Sequence, residues 1–159
     1  MPLIIQVRPL VSIIRHAEEN LVKCTLEPLR HRPELEFIEA SGEATLDGTG
    51  MLLLEVGAPP ITIADAGRRL ILLDGSWKQV AELRARVTGQ PIGRSLPPVI
   101  SSYPRRNREG LDPVEGLASV EALYFALRLQ GHDDPTLLAH YYWRDEFLEK
   151  IRVALSELR

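Results

Sequence analysis

The chain has 159 residues, 45% of them hydrophobic and 26% charged, with a formal net charge of −3. That is the length of one compact domain with its own core, and a net-negative chain is not a general nucleic-acid coat. A single cysteine excludes an internal disulfide and a cysteine-built zinc site, no apolar run is long enough to span a bilayer, and the first ten residues lack a signal-peptide pattern, so a cytoplasmic protein is expected.

An apolar lead-in at residues 3–7 precedes a first strand, expected over 11–15, and His16-Ala17-Glu18-Glu19-Asn20 is then a polar loop. Lys23-Cys24-Thr25-Leu26-Glu27-Pro28 has the marks of a helix start. Thr25 can cap, Glu27 suits the positive helix end, and Pro28 falls where no N–H partner is needed. Residues 35–38 alternate with acids and read as a half-exposed strand. A turn-rich stretch over 41–50 leads to an apolar strand at 51–56 and a short helix at 61–68.

Leu70-Ile71-Leu72-Leu73-Asp74-Gly75-Ser76-Trp77 organises the rest. Four apolar residues in a row suit a strand covered on both faces. It stops at an acid, turns on glycine and opens a helix that Asp74 or Ser76 can cap. Val80, Leu83 and Val87 form that helix's stripe, with Trp77 in its first turn. Ligands of open α/β sheets collect at the carboxyl ends of strands, so Asp74 and Trp77 are candidates for a site. A tight turn with a core tryptophan is the plainer alternative.

Beyond it, a short strand is expected at Val99-Ile100 and an exposed loop over 103–116. A helix starts at Ser119, with Val120, Leu123, Tyr124 and Leu127 on one face and Gly131 as its stop. Asp134-Pro135 opens another, and Phe147, Ile151, Ala154, Leu155 and Leu158 stripe the last. Strands thus alternate with helices until about residue 100, and everything later is helical.

The charge is unevenly spread. Residues 78–108 hold seven basic side chains and one acid, Glu82, within an otherwise acidic chain. Such a belt can engage phosphates locally, or it can be a solvated arginine-rich loop.

Four stretches carry a resemblance. Lys23-Cys24-Thr25, Leu72-Leu73-Asp74-Gly75-Ser76-Trp77, Leu96-Pro97-Pro98-Val99 followed by Ser119-Val120-Glu121-Ala122, and Tyr142-Trp143 with Phe147 stand in one order along most of the chain. Together they resemble the aminocarboxypropyltransferase family that modifies small-subunit ribosomal RNA, a relative of the DTW-domain proteins. The resemblance implies an α/β fold: an N-terminal sheet of SPOUT-like, knotted topology, followed by a small all-helical part. It divides the chain into a cofactor-binding part, 1–102, and a helical part, 103–159, that completes the donor site.

The resemblance also implies S-adenosylmethionine as donor of its 3-amino-3-carboxypropyl group, with ribosomal RNA (or tRNA) as partner. It places the methyl pocket at Trp77 and Val80, the donor carboxylate at Thr25 and Ser119, and the ribose and adenine at Leu73 and near Ile100. Physical chemistry suits these roles. An indole face attracts a sulfonium by ~0.5–2 kcal/mol, and helix N-termini hold carboxylates. The acceptor, a uridine-type N3, must lose a proton, and Asp74 can act as base or can orient substrate. Arg94, Arg105, Arg106 and Arg108 are candidates for phosphate contact, and Tyr103 for stacking on a base. No metal is expected, because His16, His31, His132 and His140 show no ligand spacing with acids. A monomer is expected.

Two other classes stay open. Ile13-Ile14-Arg15-His16-Ala17-Glu18 resembles the start of histidine phosphatases, and Gln130-Gly131-His132 their second histidine element. That chemistry needs both histidines beside several arginines, yet the segment before His132 is helical by period. A non-catalytic RNA-binding assembly factor is the third class, and S-adenosylmethionine binding separates it from the enzyme.

Overall fold

The computed structural model describes residues 10–18, 20–21, 24–103 and 117–158. Among the described residues seven strands run in chain order: β1 (Val11–His16), β2 (Leu35–Ala40), β3 (Leu46–Asp47), β4 (Leu52–Leu54), β5 (Leu70–Asp74), β6 (Val87–Thr88) and β7 (Ile92–Arg94). Three α-helices accompany them: α1 (Val80–Arg84), α2 (Ser119–Leu129) and α3 (Arg144–Glu157). Five strands form one sheet in the order β2-β1-β5-β4-β7, while β3 and β6 pair apart from it. Every strand pairing among these is parallel. The expected α/β class is therefore observed.

Strand alternation sorts the side chains into two layers. Val11, Ile13, Leu70 and Leu72 join a core cluster with α2, Phe147 and Ile151 of α3, and Leu26 and Leu29. Ile14 and Ile71 face the other way, toward Leu83 of α1 and Val87. Both faces are covered, which is why the central strand reads as an unbroken apolar run. Helix α2 buries every residue from Val120 to Leu127. Truncating Leu123, fully enclosed, to alanine should cost about 2–5 kcal/mol.

Alternation also places Arg15 and Asp74, register partners across β1 and β5, on the α2 side. His16 lies one residue further on, on the α1 side. Chain order reverses in space at β1, whose neighbours are β2 on one side and β5 on the other. Crevices at the carboxyl ends of strands at such a switch point are where open α/β sheets bind ligands.

Several local expectations are corrected. The turn after Cys24 is a 3-10 helix, Glu27–Leu29, whose cap position is Leu26 rather than Thr25. The strand expected over 51–56 is Leu52–Leu54, and the helix over 61–68 shrinks to one 3-10 turn, Ile63–Asp65, capped by Thr62. Helix α1 ends at Arg84, because Val87 leaves its stripe to pair with Leu46. Val99-Ile100 is not a strand; β7 forms earlier, pairing with β4. Asp134 caps a 3-10 turn, Pro135–Leu138, not a full helix. Leu158 is exposed at the end of α3. By contrast, α2 begins at Ser119 as expected, and Gly131 follows it at φ +93, a conformation that only glycine adopts freely. The lead-in at 3–7, Lys23, and most of the loop at 103–116 lie outside the described residues.

Candidate functional site

The carboxyl ends of β1 and β5 gather four segments around one carboxylate. Asp74 is 1% exposed. Its Oδ2 accepts from Arg15 Nε at 3.1 Å and from the Cys24 thiol at 3.5 Å, and its Oδ1 accepts from the Ser119 hydroxyl at 2.8 Å. Both carboxylate oxygens are thus engaged, and Asp74 caps no helix. It ties the end of β5 to the start of α2.

Arg15, 5% exposed, is the hub of the other side. Its Nη1 donates to Glu27 Oε2 at 2.5 Å and its Nη2 to Cys24 Sγ at 3.3 Å. Its guanidinium lies 4.7 Å from the Phe37 ring centroid on β2, within reach of the ring's attraction for a cation. Burial works to lower its pKa, but Glu27, Cys24 and Asp74 outweigh this and hold it above the ordinary arginine value. Removing one partner of a buried ion pair typically costs about 3–5 kcal/mol, because the other charge is left uncompensated.

Helix α2 starts without a capping side chain of its own, since Ala118 holds that position. Thr25 takes the role from a distance: its Oγ1 accepts from Val120 N at 3.1 Å. Glu121, fully buried, accepts from Ala118 N at 2.8 Å, from Ser102 N at 2.8 Å and from the Ser101 hydroxyl. One buried acid therefore fastens the 101–103 segment to the first turn of α2. Sequence reasoning missed both Arg15 as a partner of Asp74 and Glu121 as this anchor. The signal available was a buried-period arginine at a strand end and a glutamate three residues after a cap position.

The turn after β5 is tight. A Cβ at Gly75 would lie 2.9 Å from Leu83 Cδ1 and 3.3 Å from His16 Cβ. Ser76 N donates to Gln79 Oε1 at 2.8 Å, shaping the 3-10 turn Trp77–Gln79 that runs into α1. Trp77 is 42% exposed, so its indole is not a core group. Val80 follows one turn later, half-buried, and Leu73 is half-buried at the strand end. Ile100 is 64% exposed, on the rim of an open groove shared with Pro98, Val99 and Lys150, Val153 and Ala154 of α3.

The RNA candidates are placed unevenly. Arg94 Nε lies 3.3 Å from Asp65 Oδ2, a structural pair. Two other belt arginines are also held by the fold: Arg84 by Glu55, and Arg86 by the carbonyls of Ser41, Gly42 and Ala44. Tyr103 packs edge-on to Trp143, with ring centroids 5.2 Å apart. Arg105, Arg106 and Arg108 lie outside the described residues.

The two histidine elements do not meet. His16 accepts from Glu18 N through Nδ1, which leaves the proton on Nε2 for Glu82 Oε2 at 2.8 Å. It faces α1, whereas Arg15 faces α2. His132 follows the other end of α2, where Gln130 binds the carbonyls of Asp65 and Arg68 just before β5 begins. An 11-residue helix is about 16 Å long. His16 thus lies at the carboxyl ends of the strands and His132 toward their amino ends, which no shared phosphoryl site allows. Among the described residues, no three His, Cys, Asp or Glu side chains group as metal ligands, and no helix is long and apolar enough to cross a membrane.

A parallel α/β sheet with a buried polar cluster at the ends of β1 and β5, tied to the N-terminus of a later helix, defines the class. The same fold occurs in a solved structure, that of the SAM-dependent rRNA:acp-transferase Tsr3 from Vulcanisaeta distributa. The two superpose with a TM-score of 0.69, covering 95% of this chain and 85% of that one, at 24% sequence identity. No protein-family model and no curated protein matches the chain.

Proposed function

We propose that this chain is an RNA-modifying transferase that moves the 3-amino-3-carboxypropyl group of S-adenosylmethionine to a uridine-type nucleotide, most simply in small-subunit ribosomal RNA. The observation that supports the reading is that Thr25, Asp74 and Ser119 are hydrogen-bonded into one cluster at the carboxyl end of β5, three residues before the turn that bears Trp77, in the fold of a protein with that activity. The finer features of the reading are a SPOUT-like knot and a 103–159 part that completes the donor site, both implied by the resemblance, with a monomer and, from the single cysteine, a cytoplasmic place of work.

These residues suit this donor. An indole that is part exposed at a strand-to-helix turn can cover a methyl and face a sulfonium, with Val80 behind it. Thr25, which accepts from Val120, still has a hydroxyl proton to donate to a carboxylate, and the start of α2 adds a favourable dipole end. Leu73 and the backbone near Ile100 are left for ribose and adenine. In the reaction, N3 of the acceptor loses its proton and attacks the γ-carbon of the donor. The C–S bond breaks and methylthioadenosine leaves as a neutral thioether.

Asp74 has both oxygens engaged, which supports an orienting role rather than that of a base. Rate then comes mainly from proximity, and the proton passes to solvent. Tyr103 with Arg105, Arg106 and Arg108 is the proposed RNA contact, and Arg94 serves the fold through Asp65.

The test is a calorimetric titration of S-adenosylmethionine into the protein with a chelator present. Binding without metal is expected. Absence of binding overturns the reading.

A further inference from the structure

The two sides of the proposed donor cradle come from distant parts of the chain. Thr25 sits on the turn after β1, and Ser119 and Val120 open α2. Beside the direct Thr25–Val120 and Cys24–Asp74 hydrogen bonds, one buried guanidinium braces them from both sides. Arg15 grips the residues on either side of Thr25, Cys24 through Nη2 at 3.3 Å and Glu27 through Nη1 at 2.5 Å. With Nε it holds Asp74 at 3.1 Å, and Asp74 in turn holds the Ser119 hydroxyl at 2.8 Å. Phe37 supports the planar group from β2.

Three nitrogens of one rigid fork thus fix the turn that carries Thr25 relative to the strand end that fixes Ser119. A lysine could not reproduce this, since it offers a point charge rather than a fork. Arg15 also balances a charge. Without it, Asp74 would stand unpaired beside the α2 terminus and compete with an incoming carboxylate for the same positive end.

We infer that Arg15 is a positioning residue of the donor site, acting through Asp74 and the Cys24–Glu27 turn to preform the cradle for the amino-acid end of the donor. The inference rests on the donor reading above. The side-chain hydrogen bonds of Arg15 go to Cys24, Glu27 and Asp74, on the amino-acid side of the proposed cradle, so its effect is selective for one end of the ligand.

Two ligands separate this role from plain structural support. S-adenosylmethionine carries the amino-acid tail, and 5′-methylthioadenosine shares the adenosine and thioether but lacks that tail. Titrations of both into the full chain and into Arg15→Met should show S-adenosylmethionine weakened by at least about tenfold, with methylthioadenosine changed by no more than about twofold. Equal losses for the two ligands, or no loss for either, would overturn the inference. If Arg15→Met does not fold by circular dichroism, Arg15→Lys decides. It keeps the charge and loses the fork, so a selective loss of about three- to tenfold for S-adenosylmethionine is expected. An unselective effect in Arg15→Lys overturns the inference. A wild-type protein that binds neither ligand overturns the donor reading itself and this role with it. Wild-type binding of both ligands with unselective variants overturns only the role of Arg15.

Discussion

Thr25 caps a helix that begins almost a hundred residues later: its hydroxyl oxygen accepts from the N–H of Val120 at 3.1 Å. The helix has alanine where a capping side chain normally stands. The cap therefore doubles as a tie between the two halves of the proposed donor site. Thr25→Ala should lower stability by about 1 kcal/mol, the usual worth of such a cap, while Thr25→Ser should keep most of it. Urea denaturation of the two variants checks this. Equal stabilities for Ala and Ser would show that the hydroxyl contributes nothing.

Trp77 should behave in the opposite way. Its indole is 42% exposed, so Trp77→Ala should change stability little. It should weaken S-adenosylmethionine by more than about tenfold, since it removes both the cover over the methyl and the attraction for the sulfonium. Calorimetry reads the affinity and thermal unfolding reads the stability. A large loss of stability with unchanged affinity would make Trp77 a packing residue.

A pH dependence follows from the junction between the β1–β2 connection and the C-terminal helices. Asp134 accepts from the Thr136 hydroxyl, from Thr136 N and from Arg32, and these hold its carboxyl below the ordinary aspartate value, with Thr136 the largest cause. A group whose folded pKa is lowered stabilises the fold above its unfolded value, about 3.9, and that stability is lost as pH falls through the lower folded value. Asp134→Asn should therefore be less stable than wild type at pH 6 and should lose less on acidification from pH 5 to pH 3. Denaturation midpoints across that range test it, and parallel acid limbs for the two proteins would contradict it.

Much of the frame was legible in the sequence, because it is written in local periods. The apolar run at 70–73 is β5, and the i, i+3, i+4, i+7 stripe from Val120 is α2, stopped by Gly131. What was not legible depends on distant partners. Val87 continues a helical stripe in sequence but pairs with Leu46 in space. β7 contains Gly93 and has only three residues, so no period marks it, and pairing with β4 decides it. The candidate site divides in the same way. Asp74, Trp77 and Ser119 stand at strand and helix ends that the sequence announces. The engagement of Asp74 by Arg15, 59 positions away, appears only once β1 lies beside β5.

Charge at the RNA contact gives a fourth expectation. With Arg84, Arg86 and Arg94 engaged by Glu55, backbone carbonyls and Asp65, few cations of the belt are left for phosphates. The logarithm of RNA affinity should fall with the logarithm of salt at a slope of about −2 to −4, each neutralised phosphate contributing roughly −0.7 to −0.9. Replacing Arg105, Arg106 and Arg108 together by alanine should flatten the slope and leave donor binding intact. An unaltered slope would move the RNA elsewhere, with the half-exposed Arg30 the next candidate.

The central claim is the group transferred, and it is tested most directly by the fate of two labels. S-adenosylmethionine labelled in its carboxypropyl carbons is incubated with the protein and small-subunit ribosomal RNA, in parallel with donor labelled in its methyl. Carboxypropyl label should enter the RNA, and methyl label should stay in methylthioadenosine. Methyl label in the RNA would contradict the account and make the protein a methyltransferase on the same sheet.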